Sequence, residues 1–262
     1  MSSFELDWKQ VADRAAEFVR ERMSAAHRGR GVIGLSGGID SAVAAYVTVD
    51  ALGAEALTAY MLPYRTSSPS SLADAELVAD ELGIDNHVFD ISPMVDAYFE
   101  AYPDASRLRR ANMMARQRMA VLYDQSERLD ALVVGTGNRT ESLLGYTTLW
   151  GDMAAAFSPV GDLYKTQVRA FAAYLGVPSR IIEKPPTADL WEGQTDEGEL
   201  GITYETADKV LLRLIDRGLS EEETVAEGFD PEVVRRVMDL VEASEFKRHM
   251  PPAPPLREIE EL

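Results

Sequence analysis

VIGLSGGIDSA, residues 32–42, decides the fold of this chain. A short apolar run leads into a Ser-Gly-Gly turn, then an Asp-Ser pair, then alanine. Such a string reads as a buried strand, a tight turn and a helix N-terminus in immediate succession. The bare N–H groups of the turn and the positive end of the helix together make a site for phosphate. No Lys follows the glycines as a Walker loop requires, and adjacent Gly37 and Gly38 do not fit the spacing of a dinucleotide fingerprint.

Working outward, apolar strands are predicted at 31–35, 56–62, 86–90 and 130–136, with helices at 40–53, 70–83 and 92–128, the last split near Pro103. Upstream, Phe4, Trp8, Val11, Ala15, Phe18, Val19 and Met23 recur at helical spacing. Short apolar strands alternating with helices imply a mostly parallel, doubly wound α/β sheet covered on both faces. In such sheets ligands bind at the C-terminal ends of the strands, and both 36–41 and 135–141 start there. Residues 146–165 and 184–202 read as long irregular segments flanking a helix at 166–176, and loops of that length serve function more often than spacing. Helices at 203–217, 220–227 and 230–247 complete the chain, and no linker marks a boundary, so 1–262 is expected to be one domain.

Composition narrows the class. The absence of cysteine excludes disulfides, thiolate metal sites and cysteine nucleophiles, and no apolar run is long enough to span a bilayer. A cytoplasmic protein is expected. The net charge of −18 disfavours a nucleic-acid partner. Five lysines among 26 basic residues, against 44 acidic ones, suggest a high-salt, halophilic cytoplasm in which self-repulsion is screened.

A second informative string is GTGNRTES, 135–142, a glycine turn followed by Glu141 on the first turn of a helix. Phosphate chemistry needs magnesium, which takes one or two carboxylates beside phosphate oxygens and water. Asp40 and Glu141, each at a strand-to-helix junction, are the expected metal pair. His27, His87 and His249 lack partner spacing and are read as structural.

With SGGIDS, the strings NMMARQRM (112–119), GTGNRTESLLGY (135–146), LYKTQV (163–168) and KPPTADLWEGQTDEGELGITY (184–204) make the chain resemble the ammonia-dependent NAD synthetases, members of the ATP pyrophosphatases, over about residues 10–255. The resemblance implies a ligase that adenylates the carboxylate of deamido-NAD with ATP and magnesium, releases pyrophosphate, and transfers ammonia to give NAD and AMP. It assigns ATP binding to Gly34, Leu35, Ser36, Gly37, Gly38, Ile39, Asp40 and Ser41, with Thr136, Lys165 and Thr187. Asp40, Lys165 and Asp152 carry catalysis, Asp152 near the entry of ammonia, and Asp40 and Glu141 hold the metal. Arg116, Leu149, Ala156, Phe246 and Lys247 occupy the acceptor positions. It also implies a homodimer, to which the first helix and helix 106–128 are the expected contributors. Ammonia is expected to be free, with a separate glutaminase subunit left open.

The departures fall on the acceptor side. Relatives usually read GYFTKYGDG where this chain has GYTTLWGDM, so a Lys position is Leu149. A later Asp position is Ala156, and a His-Lys pair reads Phe246-Lys247. Each lost charge-assisted contact is worth roughly 1.5–3 kcal/mol. Two alternatives therefore stay open: the same adenylating chemistry on another carboxylate, or a non-catalytic nucleotide-binding homologue.

Overall fold

The computed structural model describes residues 6–254 except Glu192, so Phe4 lies outside the described residues. Four parallel strands, β1 (Arg30–Gly34), β2 (Leu57–Met61), β3 (Asp85–Val88) and β4 (Ala131–Val134), form one sheet in the order β3-β2-β1-β4. The register pairs Val32 with Thr58 on one side and Val133 on the other. All four match the sequence expectation to within two residues at either end.

Alternation along the strands sends successive side chains to two cores. Ile33, Ala59 and Val134 face a layer made by α1 (Trp8–Ala25), α2 (Ile39–Leu52), α3 (Pro69–Leu82) and, much later in the chain, the helix Lys165–Leu175. Val32, Tyr60 and Ala131 face α4 (Ser92–Phe99) and α5 (Arg107–Arg128). The expected break near Pro103 falls between these two helices. Helix α2 is buried on nearly every side, which explains its continuous apolar sequence Ala42–Val47.

After β4 come α6 (Arg139–Leu144), the aforementioned helix α7 (Lys165–Leu175), and the short α8 (Ser179–Ile182) and α9 (Asp196–Leu200). Then α10 (Tyr204–Leu211), running into a π turn, α11 (Glu221–Ala226) and α12 (Pro231–Ala243) pack a third core around Leu144 and Tyr164. The predicted final helix stops at Ala243, and residues 245–248 form a 3₁₀ turn.

The irregular reading of 146–165 misses one element of order. Ala156 donates its N–H to the Val133 carbonyl at 2.9 Å and Gly135 donates to the Phe157 carbonyl at 2.8 Å, attaching this loop to the free edge of β4. A lone bridge gives no alternating pattern from which to foresee it. None of the described helices is long and apolar enough to cross a membrane.

Strand order reverses at β1: β2 and β3 follow on one side, and β4 returns on the other. The carboxyl ends of β1 and β4 thus bracket a switch point, where open α/β sheets form their ligand crevices.

Candidate active site

At that switch point lies a cavity of about 760 Å³. Its floor is the turn between β1 and α2. Gly37 has φ 74°, and a Cβ there would stand 2.1 Å from the Ser71 carbonyl oxygen, so the turn tolerates no side chain. Ser41 is buried and works inward: its Oγ donates to the Gly38 carbonyl at 3.0 Å and accepts the Ser36 N–H at 3.3 Å. The loop is therefore braced from beneath, and α2 offers its uncapped N-terminus to the cavity.

The chemistry converges on Lys165. This lysine opens α7, the unfavourable end of a helix dipole for a cation, yet the residue is only 6% exposed. Its Nζ donates to Asp40 at the start of α2 and, at 3.1 Å, to Glu141 Oε1 in the first turn of α6, and it lies 5.2 Å from the Tyr204 ring centroid. Burial pulls its pKa down, but attraction to Asp40 and Glu141 outweighs that and raises it, so Lys165 stays charged. Burial lifts the Glu141 carboxyl to about 7, with Lys165 opposing the rise and Asp40 adding to it.

A frame that sequence reading missed holds these groups. Asn138 caps α6, accepting the Glu141 N–H at 3.0 Å, and donates from Nδ2 to Asp40 Oδ1 at 2.8 Å. Asp208, fully buried on α10, accepts from the Thr140 hydroxyl at 2.5 Å and from the Thr166 N–H at 2.8 Å. Thr140 Oγ1 in turn accepts the Lys165 N–H at 2.9 Å. One carboxylate thereby ties the first turn of α6 to the first turn of α7. Burial raises the Asp208 pKa against these hydrogen bonds.

Of the expected site residues, Gly34, Leu35, Ser36, Gly38, Ile39, Asp40, Thr136, Glu141, Asp152, Lys165, Thr187 and Lys247 line the cavity. Gly37 and Ser41 stand behind the wall as braces. Thr187 Oγ1 also accepts the Asp189 N–H at 3.1 Å, combining a turn with its place in the wall. Arg116, Leu149, Ala156 and Phe246 do not line it. Arg116 donates from Nε and Nη2 to the Leu149 carbonyl at 3.3 and 3.2 Å, and Phe246 is 61% exposed. The 3₁₀ turn that sends Phe246 outward sends Lys247 inward, where its Nζ donates to the Gly145 and Thr147 carbonyls at 2.8 Å each. Asp152 accepts the Thr148 N–H at 2.8 Å.

Segment 184–191 closes over the wall from the far side. Lys184 reaches Asp74 at 2.8 Å and the Gly37 carbonyl at 3.4 Å, and Asp189 accepts the Ser68 N–H at 2.9 Å. Asp196, 4% exposed, accepts from the Tyr204 hydroxyl at 3.1 Å and also lines the cavity.

Two half-buried carboxylates with one buried cation between them leave net negative charge at the centre, beside the 36–41 loop. Among the described residues no cluster of three or more His, Cys, Asp or Glu side chains is arranged to hold a metal by itself. A pair of carboxylates does fit a magnesium ion that takes its remaining ligands from phosphate and water.

A family model described as NAD synthase matches residues 11–251. The NH3-dependent NAD+ synthetase of Fusobacterium nucleatum is 48% identical over 251 residues, covering 96% of this chain and 97% of that one. Its counterpart from Trichlorobacter lovleyi is 49% identical over 251 residues, covering 96% and 92%. Among solved structures, an NMN synthetase from Francisella tularensis superposes with a TM-score of 0.86 at 31% identity, over 96% of this chain and all of that one. The NH3-dependent NAD synthetase from Campylobacter jejuni, solved with a nitrate ion, gives 0.82 at 30% identity, over 95% and 100%.

Proposed function

This chain belongs to the NAD synthase family, and we propose that the cavity around Lys165 is where it carries out the family's reaction. It is an ATP-dependent ligase that amidates deamido-NAD with ammonia. The observation that carries the site assignment is the Lys165 ammonium held between Asp40 and Glu141 beside the 36–41 loop.

The loop N–H groups and the N-terminus of α2 hold the pyrophosphate end of ATP. A carboxylate oxygen of the acceptor attacks the α-phosphorus, the bond to pyrophosphate breaks, and an acyl-adenylate forms. Lys165 places positive charge where the crowded phosphorus gathers negative charge. Ammonia then attacks the acyl carbon, one of its protons leaves, and AMP departs with the electron pair of the C–O bond. Asp152, backed by the Thr148 N–H, faces the cavity on the acceptor side and suits the handling of ammonia. Asp40 and Glu141 would hold magnesium, which supplies charge neutralisation at the phosphates when bound. Segment 184–191 shields the adenylate from water.

A second reading keeps this chemistry and shortens the acceptor to a mononucleotide. It is favoured by the likeness to the NMN synthetase from Francisella tularensis. Incubation with ATP, magnesium chloride, ammonium and either deamido-NAD or nicotinate mononucleotide separates the two. Pyrophosphate with NAD, at the higher kcat/KM, is the expected result. A higher kcat/KM on the mononucleotide establishes the second reading, and no pyrophosphate with either acceptor sinks both.

The chain is further read as a cytoplasmic homodimer adapted to high salt. Exposed Phe89, Tyr98, Tyr102, Leu108 and Tyr123 lie on β3, α4, α5 and the turns joining them, a surface suited to pairing. Val19 and Met23 of α1, the other expected contributor, turn into the core. Light scattering in molar KCl that returns a monomer mass removes the dimer, and a melting midpoint indifferent to KCl removes the salt adaptation.

A further inference from the structure

One cation in the cavity wall has no part in the reaction as described. Arg118, on α5, donates from Nε to the carbonyl oxygen of Leu62 at 2.9 Å, just beyond the end of β2. That bond orients the guanidinium plane. Among the described residues no carboxylate lies within ion-pair distance of it, and neither terminal nitrogen meets a hydrogen-bond acceptor.

Several other arginines in this acidic chain are ion-paired. Arg139 bridges Asp162 and Asp216, Arg213 pairs with Glu227, and Arg180 with Asp74. The two carboxylates that attract Arg118 from a distance, Asp189 and Asp152, are each bonded to a backbone N–H instead. Arg118 is half-buried, its terminal nitrogens facing the cavity, and partial burial lowers its pKa to about 10. A half-buried cation without a counter-charge gains when an anion takes that place. A guanidinium anchored at Nε keeps two parallel N–H donors whose fork matches a phosphate or carboxylate.

We infer that Arg118 is an oxyanion-binding residue of the ligase site, its terminal nitrogens holding a phosphate or carboxylate group of one substrate at the β2 end of the cavity. The inference deepens the ligase reading and rests on it. Two substrates carry the required chemistry: the nucleotide through its phosphates, and the acceptor through its carboxylate or phosphate.

Arg118→Met keeps the apolar stem and removes the fork, and Arg118→Lys restores charge without it. The experiment compares denaturation midpoints without ligand, with ATP and magnesium chloride, and with deamido-NAD, alongside KM for each. Arg118→Met is expected to be about as stable as the parent without ligand, because the half-buried charge that is removed has no counter-charge to lose. It is also expected to lose the ligand-induced rise in midpoint for one substrate, with KM for that substrate up at least tenfold and Arg118→Lys recovering part of it. Loss confined to ATP assigns the nucleotide, and loss confined to deamido-NAD assigns the acceptor. A variant less stable without ligand that keeps both ligand shifts and the parental kcat/KM makes Arg118 a strut under Leu62 and overturns the inference. Failure of the ligase reading itself is separate, showing as a parent protein that makes no amide.

Discussion

The two walls of the cavity are built on opposite plans. On the proposed ATP side, Lys165 is locked to Asp40 and Glu141, Asn138 ties Asp40 to α6, and Asp208 ties α6 to α7. On the opposite side, Arg118 and Lys247 rest on backbone carbonyls of Leu62, Gly145 and Thr147, with no ion pair among the described residues. A closed network of buried ion pairs has one low-energy arrangement, which suits a step that must not vary. Cations seated on carbonyls keep spare donors for an anionic ligand and change partners by substitution nearby. On the proposed reading, the first wall fixes the reaction, and the second selects what is activated.

The comparison breaks most sharply at Lys165. Lys165→Met is expected to lower kcat by about 10²–10³-fold, the usual cost of one electrostatic donor to a transition state. It also leaves two carboxylates facing each other, which costs about 3–5 kcal/mol of stability when a buried pair loses one member. Pyrophosphate release and urea unfolding measure the two effects. A variant with the parental rate would place the reaction elsewhere.

Asp208 comes next. Asp208→Asn turns an acceptor of hydrogen bonds into a partial donor facing Thr140 or Thr166, displacing Glu141 and Lys165 without touching a ligand. About 10–100-fold loss of activity or magnesium affinity is expected, as for other residues that orient metal-binding side chains. The magnesium dependence of the rate distinguishes this from simple loss of fold: a requirement shifted to higher magnesium supports the frame, and an unshifted requirement at a lower rate counts against it.

Lys247 tests the other wall. Lys247→Met is expected to raise KM for the acceptor about tenfold or more, one charge-assisted bond at roughly 1.5 kcal/mol, while KM for ATP stays near the parental value. Equal damage to both constants would show that the walls are not separable.

How far these walls were legible differs for the same physical reason. The 32–42 turn and the strands were readable because glycine geometry, helix starts and strand alternation act between near neighbours in the chain, and Asp40 and Glu141 were each readable separately, at their own strand-to-helix junctions. The frame was not: Thr140 and Asp208 are 68 residues apart, Asp40 and Asn138 are 98 apart, and Leu62 and Arg118 are 56 apart. No periodicity marks which buried aspartate on a helix has two threonines waiting for it. Resemblance supplied the acceptor residues, but whether a side chain enters a cavity depends on local twist. At 246–247 the turn exchanged one neighbour for the other, setting Lys247 in the cavity wall and exposing Phe246.

The smallest effect asks whether the ATP wall holds excess negative charge when no ligand is bound. Burial places the Glu141 carboxyl at about 7 in the folded protein, against an ordinary value of 4.5. Below the ordinary value the side chain is protonated folded or unfolded, and it contributes no pH dependence. Between the two values the folded protein keeps a proton that the unfolded chain has released, so this group makes stability fall as pH rises. Above about 7 both states are ionised and the penalty is complete. Urea midpoints of the parent and Glu141→Gln, compared in metal-free buffer across that interval, isolate the group from the many other carboxylates. The parent is expected to lose stability relative to the variant as pH rises through the interval, with a constant difference above it. Parallel curves throughout would mean that Lys165 neutralises Glu141 fully, leaving a site whose charge is already balanced before any cation arrives.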